Sequence, residues 1–532
     1  MHRYRKIGFI SLSILFLTLA GCARVGRPSG GPKDEKPPVI VQAKPPFEAL
    51  HFKEKTITLY FDEYVQLKDL HRNLIVSPPM KHALEITPLG TASKFIRIKI
   101  SDTLKPNTTY TIHFGDALRD FTEGNVLRDF SYVFSTGAQI DSLTLTGKLL
   151  PTDFARKPED VLAMLYKADE NYTDSLPLRQ KPYYVTRTGE DGIFEFHHLA
   201  AGTYHLIALR DVQPNYRYDP PSEPIGFVSG YIELPTDSIY PVQLFYPNPE
   251  PGISHIKTVS PDHFLIGYRG SERPVVEEVK DTGGVLEFLT VESKVSDTLH
   301  LWTRTPAKDS IYVRFRLSGD SFIMPKRIIP VHTSDSLEIK LQTTVIPESQ
   351  DSLYITASVP LEKVDMTKIY LMKTDSTTTG CTAQTGKLHH LVLRCGEQEP
   401  GSYGLYLLPG ALTTFNGLKN DSVRLAFQVK GKEYFGELVL NIDKLAHPAI
   451  LQLIEKTSGK TKREKYLEKP GEVLFRYLPK GEYRVKFLVD INKNRRWDTG
   501  DFMEGKQPEP VYYYPQNIRI KPNWTVRQNI SL

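Results

Sequence analysis

Apolar and polar residues alternate along short runs of this chain, and this alternation limits what the chain can fold into. Examples are the runs KTITLYFDEYV, KFIRIKISDTL and EYRVKFLVD, each bounded by Gly, Pro, Asn or Asp. A period of two residues is typical of β-strands with one buried face, and no sustained helical period follows the first twenty residues. Regularly spaced short strands therefore predict an all-β chain of tandem β-sandwich domains.

The first 22 residues, MHRYRKIGFISLSILFLTLAGC, have a different pattern. A basic start precedes an apolar run from Ile7 to Leu19, which is too short for a comfortable membrane span. This predicts a secretory signal peptide over residues 1–21. Its ending, Leu-Ala-Gly-Cys, resembles the bacterial lipobox. That resemblance implies cleavage before Cys22 and acylation of its thiol, as in a palmitate-bearing lipoprotein; the alternative is an ordinary signal peptide with a chance cysteine.

The residues after the leader indicate where such a protein would be anchored. Residues 22–37 are rich in Gly, Pro and charge, which predicts a flexible tether. Acyl chains on Cys22 would hold the protein stably on a membrane. Ala23 rather than Asp favours the outer membrane by the usual sorting convention. Arg24 stands where surface-exported lipoproteins of Bacteroidota tend to carry acids, so the periplasmic side is favoured over the cell surface.

The length of the chain limits its number of domains, and its net charge limits the class of partner. At 532 residues the chain is too long for one core, and about 100–150 residues per domain gives roughly four or five domains. Removing Arg3, Arg5 and Lys6 with the leader reduces the basic residues from 67 to 64, against 62 acids. The mature chain is thus about neutral and has no basic block, so we expect no nucleic-acid partner.

The chain contains internal repeats. Residues 196–219 align without gaps on residues 475–498, with nine of 24 positions identical. The matches fall on turn and loop residues. A weaker similarity joins residues 110–137 to 403–431 upstream of each copy. A unit of two domains is therefore predicted to occur twice in the same order, with a further domain of alternating strands between the two.

These residues resemble known bacterial families. The Pro-rich start, the approach LKPNTTY and the closing FSTG resemble the bacterial Ig-like domain of S-layer proteins. The pattern GIFEF with Leu199, Gly202 and Tyr204 resembles the carboxypeptidase-regulatory and collagen-adhesin B-type sandwiches. The whole is similar to Ig-like-domain lipoproteins of Bacteroidota, which implies a fold and a location but no reaction. The predicted domains are a signal peptide (1–21), a tether (22–37), an Ig-like domain (38–137), a carboxypeptidase-regulatory-like sandwich (138–246), a sandwich (247–345), a degenerate Ig-like domain (346–432) and a second carboxypeptidase-regulatory-like sandwich (433–532).

One loop has the spacing of a calcium site. Counted from Asp490, oxygen-bearing side chains stand at the positions that an EF-hand-type loop uses. They are Asp490, Asn492, Asn494, Asp498 and Asp501. Against calcium, the sixth position is Arg495 rather than Gly, and the other copy has Gln213 at the third. The alternative is a turn held by hydrogen bonds from Asp and Asn side chains to the backbone. If calcium were bound at this loop, the ion would be structural.

The remaining chemistry-bearing residues give few candidates. Cys381 and Cys395 flank a predicted hairpin, so a disulfide is the expectation in an oxidising compartment, with buried thiols as the alternative. It would stabilise the fold by about 3 kcal/mol. The adjacent pairs His197-His198, His389-His390 and Asp62-Glu63 lie in strands, where neighbouring side chains point to opposite faces and cannot easily share a site.

The sequence therefore predicts no catalytic residues and no cofactor beyond the possible structural calcium. It favours a lipid-anchored, non-enzymatic scaffold of five sandwich domains in a rod that interacts with an envelope protein or glycan. The alternative is a surface adhesin or glycan-binding lipoprotein that uses exposed aromatic residues, for which Trp302, Trp497 and Trp524 are the candidates.

Overall fold

The computed structural model describes residues 34–128, 130–152, 161–170, 172–213, 215–293, 297–327, 337–374, 377–385 and 389–531. Strands dominate this part of the chain, with two short α-helices, α1 (Leu70–Asn73) and α2 (Leu176–Arg179). Neither of these helices is long and apolar enough to cross a membrane. The described residues divide into two compact units, those up to 143 with 197–200 and those of 144–196 with 201 onward.

The first unit is a sandwich of two sheets. Its strands are β1 (Ile40–Lys44), β2 (Thr56–Leu67), β3 (Ile75–Ser77), β4 (Glu85–Thr87), β5 (Ser93–Lys99), β6 (Thr109–His113), β7 (Leu118–Asp120) and β8 (Ser131–Ser135). One sheet has the order β1-β2-β5-β4, with β7 also on β2, and the other has the order β3-β6-β8. The alternation in β2 buries Ile57, Leu59 and Phe61, which pack in one core with Tyr132 and Phe134.

The next segment forms two sheets. Its strands are β9 (Leu143–Leu150), β10 (Leu162–Lys167), β11 (Tyr184–Arg187), β12 (Ile193–Leu199), β13 (Gly202–Leu209), β14 (Ile225–Phe227), β15 (Ile232–Leu234) and β16 (Ile239–Gln243). The first sheet has the order β11-β10-β13-β14, with β15 also on β13. The second has the order β12-β9-β16, in which β16 runs parallel to β9.

The middle segment consists of two four-stranded sheets. Its strands are β17 (Gly252–Ser260), β18 (His263–Arg269), β19 (Val275–Asp281), β20 (Gly284–Val285), β21 (Phe288–Glu292), β22 (Thr298–Thr303), β23 (Ser310–Leu317) and β24 (Asp320–Arg327). The sheets have the orders β17-β18-β22-β21 and β20-β19-β23-β24. Inward-facing residues such as Phe264, Leu301 and Phe315 are fully buried between them.

The fourth segment contains three separate sheets. Its strands are β25 (Ile339–Leu341), β26 (Val345–Pro347), β27 (Ser352–Ala357), β28 (Leu361–Val364), β29 (Ile369–Lys373), β30 (Thr378–Gly380), β31 (Thr382–Thr385), β32 (His390–Arg394), β33 (Gly401–Leu407), β34 (Leu412–Thr414) and β35 (Val423–Lys430). A four-stranded sheet has the order β25-β27-β32-β31, and a five-stranded sheet has the order β26-β35-β33-β29-β30. Strands β28 and β34 form a separate pair.

The last segment has the topology of the β9–β16 segment. Its strands are β36 (Gly436–Lys444), β37 (Ala449–Glu455), β38 (Thr461–Leu467), β39 (Gly471–Leu478), β40 (Gly481–Val489), β41 (Val511–Tyr513), β42 (Ile518–Ile520) and β43 (Thr525–Ser531). The order β38-β37-β40-β41, with β42 on β40, and the order β39-β36-β43 reproduce the earlier sheets strand by strand. The final strand is again parallel to the first. The β9–β16 and β36–β43 segments are called the first and second copies below.

Over its described residues the chain is therefore all-β and consists of β-sandwich sheets, as the alternation predicts. The five predicted domain boundaries stay predictions, because the chain separates into only two compact units. The signal peptide and Cys22 lie outside the described residues.

Candidate functional site: two carboxylate loops and the contact between the copies

The loop after β40 is held by Asp490, whose side chain is completely buried. Its Oδ1 accepts a hydrogen bond from the Asn494 N–H at 3.0 Å, and its Oδ2 accepts one from the Arg495 N–H at 2.8 Å. The Tyr466 hydroxyl donates a third, at 2.7 Å. One carboxylate thus satisfies several backbone and side-chain donors, which is what fixes the path of the loop.

Those hydrogen bonds also decide the ionisation of Asp490. Burial by itself would raise the pKa of this carboxyl, because a charge loses hydration in the interior. The bonds from the Tyr466 hydroxyl and from the backbone N–H groups of Arg495, Asn494 and Lys493 outweigh it, and the pKa lies below its ordinary value. Asp490 is therefore ionised over the whole physiological range.

The first copy has the same loop after β13. There Asp211 accepts hydrogen bonds from the N–H groups of Asn215 and Tyr216. The amide of Asn215 donates to Asp219 at 2.7 Å, as that of Asn494 donates to Asp498 at 2.7 Å. Here burial dominates, and the pKa of Asp211 is raised in spite of these bonds.

A glutamate that sequence reasoning missed completes each loop. In the second copy Glu509 accepts from the N–H groups of Ile491 and Asp498. In the first copy Glu223 accepts from the N–H groups of Val212 and Asp219. The two glutamates were missed because they follow their loops at different spacings, so an ungapped alignment does not pair them.

These contacts favour the turn interpretation of the loop over calcium. Asp490, Asn492, Asn494 and Asp498 belong to one hydrogen-bonded network, in which Asn492 also contacts the carboxylate of Asp498. Asp501 belongs to the next turn, where its Oδ1 accepts from the N–H groups two and three residues on. Among the residues described, no group of three or more His, Cys, Asp or Glu side chains is arranged to hold a metal ion.

Removal of divalent cations tests the two interpretations. We expect excess EDTA to shift the melting temperature of the purified chain by less than about 1 °C, because the loop oxygens accept N–H groups without an ion. Calcium at a hundredfold excess over its dissociation constant would instead contribute about 2.7 kcal/mol. An EDTA-induced loss of stability that Asp498→Asn abolishes would establish the calcium site.

The two copies differ in the connection between the loop and its glutamate. Asp219 and Glu223 are four positions apart, whereas Asp498 and Glu509 are eleven apart, so the second copy has seven extra residues. These residues carry Phe502, which is only 5% exposed. Its ring lies edge-on to Tyr218 and Phe227 of the first copy, with centroid distances of 5.7 and 5.5 Å. The extra residues thus join the two copies.

Polar contacts surround this aromatic contact. The Thr499 hydroxyl donates to the Tyr246 carbonyl at 2.6 Å, and the Gln507 amide donates to the Phe227 carbonyl at 2.9 Å. From the first copy, the Gln243 amide donates to the backbone carbonyl of Glu509 at 3.1 Å. A buried aromatic centre with a satisfied polar rim is typical of a stable interface.

Gly500 is required where the two copies touch. A Cβ atom at this position would lie 2.8 Å from the ring of Phe245 and 2.7 Å from the carbonyl oxygen of Lys506. Both distances are too short for a side chain without movement of the backbone. The expected rod is therefore wrong for the second unit, since positions more than 250 residues apart meet there.

Cys381 and Cys395 form a disulfide in the structure. It lies at the open end of the β31–β32 hairpin, where Thr382 pairs with Arg394. Cys395 is buried in the core of its segment and Cys381 packs against that core. The cross-link therefore closes a hairpin whose strands are already paired.

The members of the three adjacent pairs differ in exposure, as the face rule predicts, and the rings of His197 and His198 lie 6.4 Å apart. His390 is exposed, whereas His389 is partly buried and its Nδ1 lies 3.1 Å from the carbonyl oxygen of Ala357. Asp62 is exposed and accepts a hydrogen bond from the Val39 N–H, whereas Glu63 is partly buried. Neither pair forms a shared site.

His389 instead joins a histidine cluster that the sequence did not indicate. His263 stacks on Trp302 with ring centroids 3.7 Å apart, and its Nε2 lies 2.8 Å from Nδ1 of His300. The ring of His389 lies 6.2 Å from that of His300. Burial, and then the neighbouring His300, lower the pKa of His263 to about 3, although the nearby Asp262 opposes this. Burial lowers the pKa values of His300 and His389 as well.

This cluster predicts a loss of stability in mild acid. A buried neutral His does not take up a proton as the pH falls below about 6.5, whereas the unfolded chain does, so folding weakens from there down to about pH 3. His263 alone accounts for about 2–3 kcal/mol between pH 6.5 and 4.5. Calorimetry at the two pH values should show a smaller difference for His263→Phe than for wild type. The exposed His447 is the control, and an equal reduction in His447→Phe would contradict the assignment.

Comparison with known proteins identifies the start of the described chain. Residues 34–136 match the bacterial Ig-like domain family. This match spans the sandwich β1–β8 and agrees with the resemblance in its sequence. No curated protein matches the chain.

Several solved structures match the chain at low similarity. A mixed-linkage glucan utilization locus protein of Bacteroides ovatus, SGBP-B in complex with a heptasaccharide, covers 72% of this chain and 94% of its own at 11% identity, with a TM-score of 0.19. The major pilin subunit BcpA of Bacillus cereus covers 74% and 99% at 11% identity, with a TM-score of 0.15. The surface layer protein SbsC covers 91% and 67% at 10% identity, also with a TM-score of 0.15. Likeness at this level gives no basis for transferring function.

Proposed function

We propose that this chain is a lipid-anchored protein of the outer membrane, on its periplasmic side, that acts as a non-enzymatic scaffold for envelope proteins. The contact of Phe502 with Tyr218 and Phe227 carries the proposal, because it fixes the two copies to each other. Because this contact fixes the two copies, the unpaired sheet edges of the second unit keep constant positions relative to one another. Anchoring through Cys22 would hold those edges near the membrane.

The edge strand β24 is the best surface for a protein partner. It ends the sheet β20-β19-β23-β24, so one side of its backbone has no neighbouring strand within the described residues. Ile323 is 51% exposed on this strand, and Phe322 is 36% exposed. Such an edge suits the addition of a partner strand, which gains main-chain hydrogen bonds and side-chain contacts together.

Fractionation of cells tests the anchor. We expect the full chain in the membrane fraction, released by detergent but not by high salt, and Cys22→Ser in the soluble envelope fraction. Membrane association of Cys22→Ser that equals wild type would contradict lipid anchoring.

Crosslinking in the intact envelope tests the scaffold. A photo-crosslinking amino acid replaces Ile323, and a second variant carries it at Tyr231, which is 65% exposed elsewhere in the unit. We expect an adduct of defined mass at Ile323 and none of that mass at Tyr231. Equal labelling at both positions, or no adduct at Ile323, would contradict a protein partner at β24.

The alternative of a surface adhesin has weaker support from the tryptophans. Trp302 is buried, and Trp497 donates its Nε1–H to the Glu509 carbonyl at 2.7 Å. Only Trp524 of the three is largely exposed, at 60%. Digestion of whole cells with an external protease separates the two orientations, since a periplasmic protein stays intact until the outer membrane is opened.

A further inference from the structure

A groove crosses the outer face of the five-stranded sheet β26-β35-β33-β29-β30. Its volume is about 470 Å³. Its floor is the cross-strand row Met372, Gly404 and Ala426, which pair with one another in register. The row with Tyr406 and Arg424 forms one wall, and the row with Ser402 and Gln428 forms the other.

Gly404 makes the groove possible. A Cβ atom there would lie 2.9 Å from Cε2 of Tyr406 and 3.3 Å from Nε of Arg424, so any side chain would push both away. The Tyr406 ring lies nearly parallel to that of Tyr370 at a centroid distance of 5.3 Å, and the Arg424 guanidinium lies 5.7 Å from the Tyr406 ring centroid. The Arg424–Tyr406–Tyr370 wall is thus ordered by stacking.

The side chains that line the groove carry positive charge and no negative charge. Its lining contains two cations, Lys373 and Arg424, and no acid. Lys373 is paired with the largely exposed Glu399 at 2.9 Å. Arg424 has no ion-pair partner among the described residues, although its guanidinium is exposed and next to the groove. The planar guanidinium of Arg424, without an acid bound to it, can donate two parallel hydrogen bonds to a carboxylate.

Most of the backbone around the groove is already paired. Strand β33 is paired on both sides, with β29 and β35, whereas β26 pairs with only Gln428 to Lys430 of β35. The main-chain groups of β33 at the floor are therefore used within the sheet, and recognition there must come from side chains. The hydroxyl of Ser402 and the amide of Gln428, across the floor from Arg424, suit a ligand rich in hydroxyl groups, whereas the Thr374 hydroxyl already donates to the Ser402 carbonyl.

We propose that this groove binds a glycan that carries carboxylate groups, with Arg424 on a carboxylate and the opposite wall on sugar hydroxyls. The proposal concerns the isolated chain and does not depend on the membrane anchor or on a protein partner at β24. Failure of the scaffold would therefore leave it intact, and the reverse is also true.

Titration calorimetry of the purified full-length chain tests it with an oligomer of α-1,4-linked galacturonic acid. We expect binding with a dissociation constant on the order of 1 mM or below. The fully methyl-esterified oligomer should bind about tenfold more weakly, and so should Arg424→Gln, because each loses one charge-assisted hydrogen bond. Gly404→Val should also weaken binding by about tenfold, by displacing the wall.

The exposed Arg519, on strand β42, provides the matched control, and Arg519→Gln should bind as wild type does. An unchanged melting temperature shows that each variant is folded. No binding of the acidic oligomer, equal binding of its methyl ester, or equal binding by Arg424→Gln would overturn the proposal. Preference for a carboxylated peptide over the oligomer would overturn it as well.

Discussion

Phe502→Ala should separate the two copies and destabilise the second unit by about 3–5 kcal/mol, the usual cost of removing a buried Phe side chain. The ring is 5% exposed and has its aromatic neighbours in the other copy, so its loss leaves a cavity between them. Denaturant unfolding measures the free energy, and small-angle scattering should show an increased radius of gyration.

The adjacent Met503 is the matched control for this substitution. It lies on the same loop and is 50% exposed, so Met503→Ala should change the stability by less than about 0.5 kcal/mol. If the two variants unfold at the same denaturant concentration, Phe502 does not hold the copies together.

Asp490→Ala should destabilise the second copy by a similar amount, about 3–5 kcal/mol. It leaves the Tyr466 hydroxyl and the N–H groups of Asn494 and Arg495 without their acceptor in a part-buried site, and a desolvated donor without a partner costs about 1–3 kcal/mol. The exposed Asp443 is the control, and Asp443→Ala should be close to neutral. Thermal unfolding followed by calorimetry checks both, and equal melting temperatures for the two variants would refute the role of Asp490.

The pH dependence of Asp490 provides an independent check. Its pKa in the fold is lower than in the unfolded chain, so its contribution to stability is present above about pH 4 and is lost as the pH falls through the lower value. The pKa of Asp211 is shifted upward instead. We therefore expect Asp211→Asn to cost less than Asp490→Asn at neutral pH, and the opposite order would contradict these assignments.

The sequence predicted most of the loop around Asp490, but it did not predict that the residues after this loop contact the first copy. The spacing of Asp490, Asn494 and Asp498 left a calcium loop and a turn open, and the hydrogen bonds of these side chains are those of a turn, which the identical positions in the first copy share. Glu509 was not predicted from the repeat, because its separation from Asp498 differs from that of Glu223 from Asp219. That difference in length was the available signal, since it marks the residues that carry Phe502.

The sequence by itself determined the class of fold, because the alternation of apolar and polar residues is a local property that selects strands with one buried face. It also determined that two segments share one topology. Only the tertiary structure decided that Phe502 of one copy packs on the other, that His263 and His300 meet, and that Gly404 opens a groove. Each of these depends on contacts between residues distant in the chain, and such contacts leave no periodic trace in the sequence.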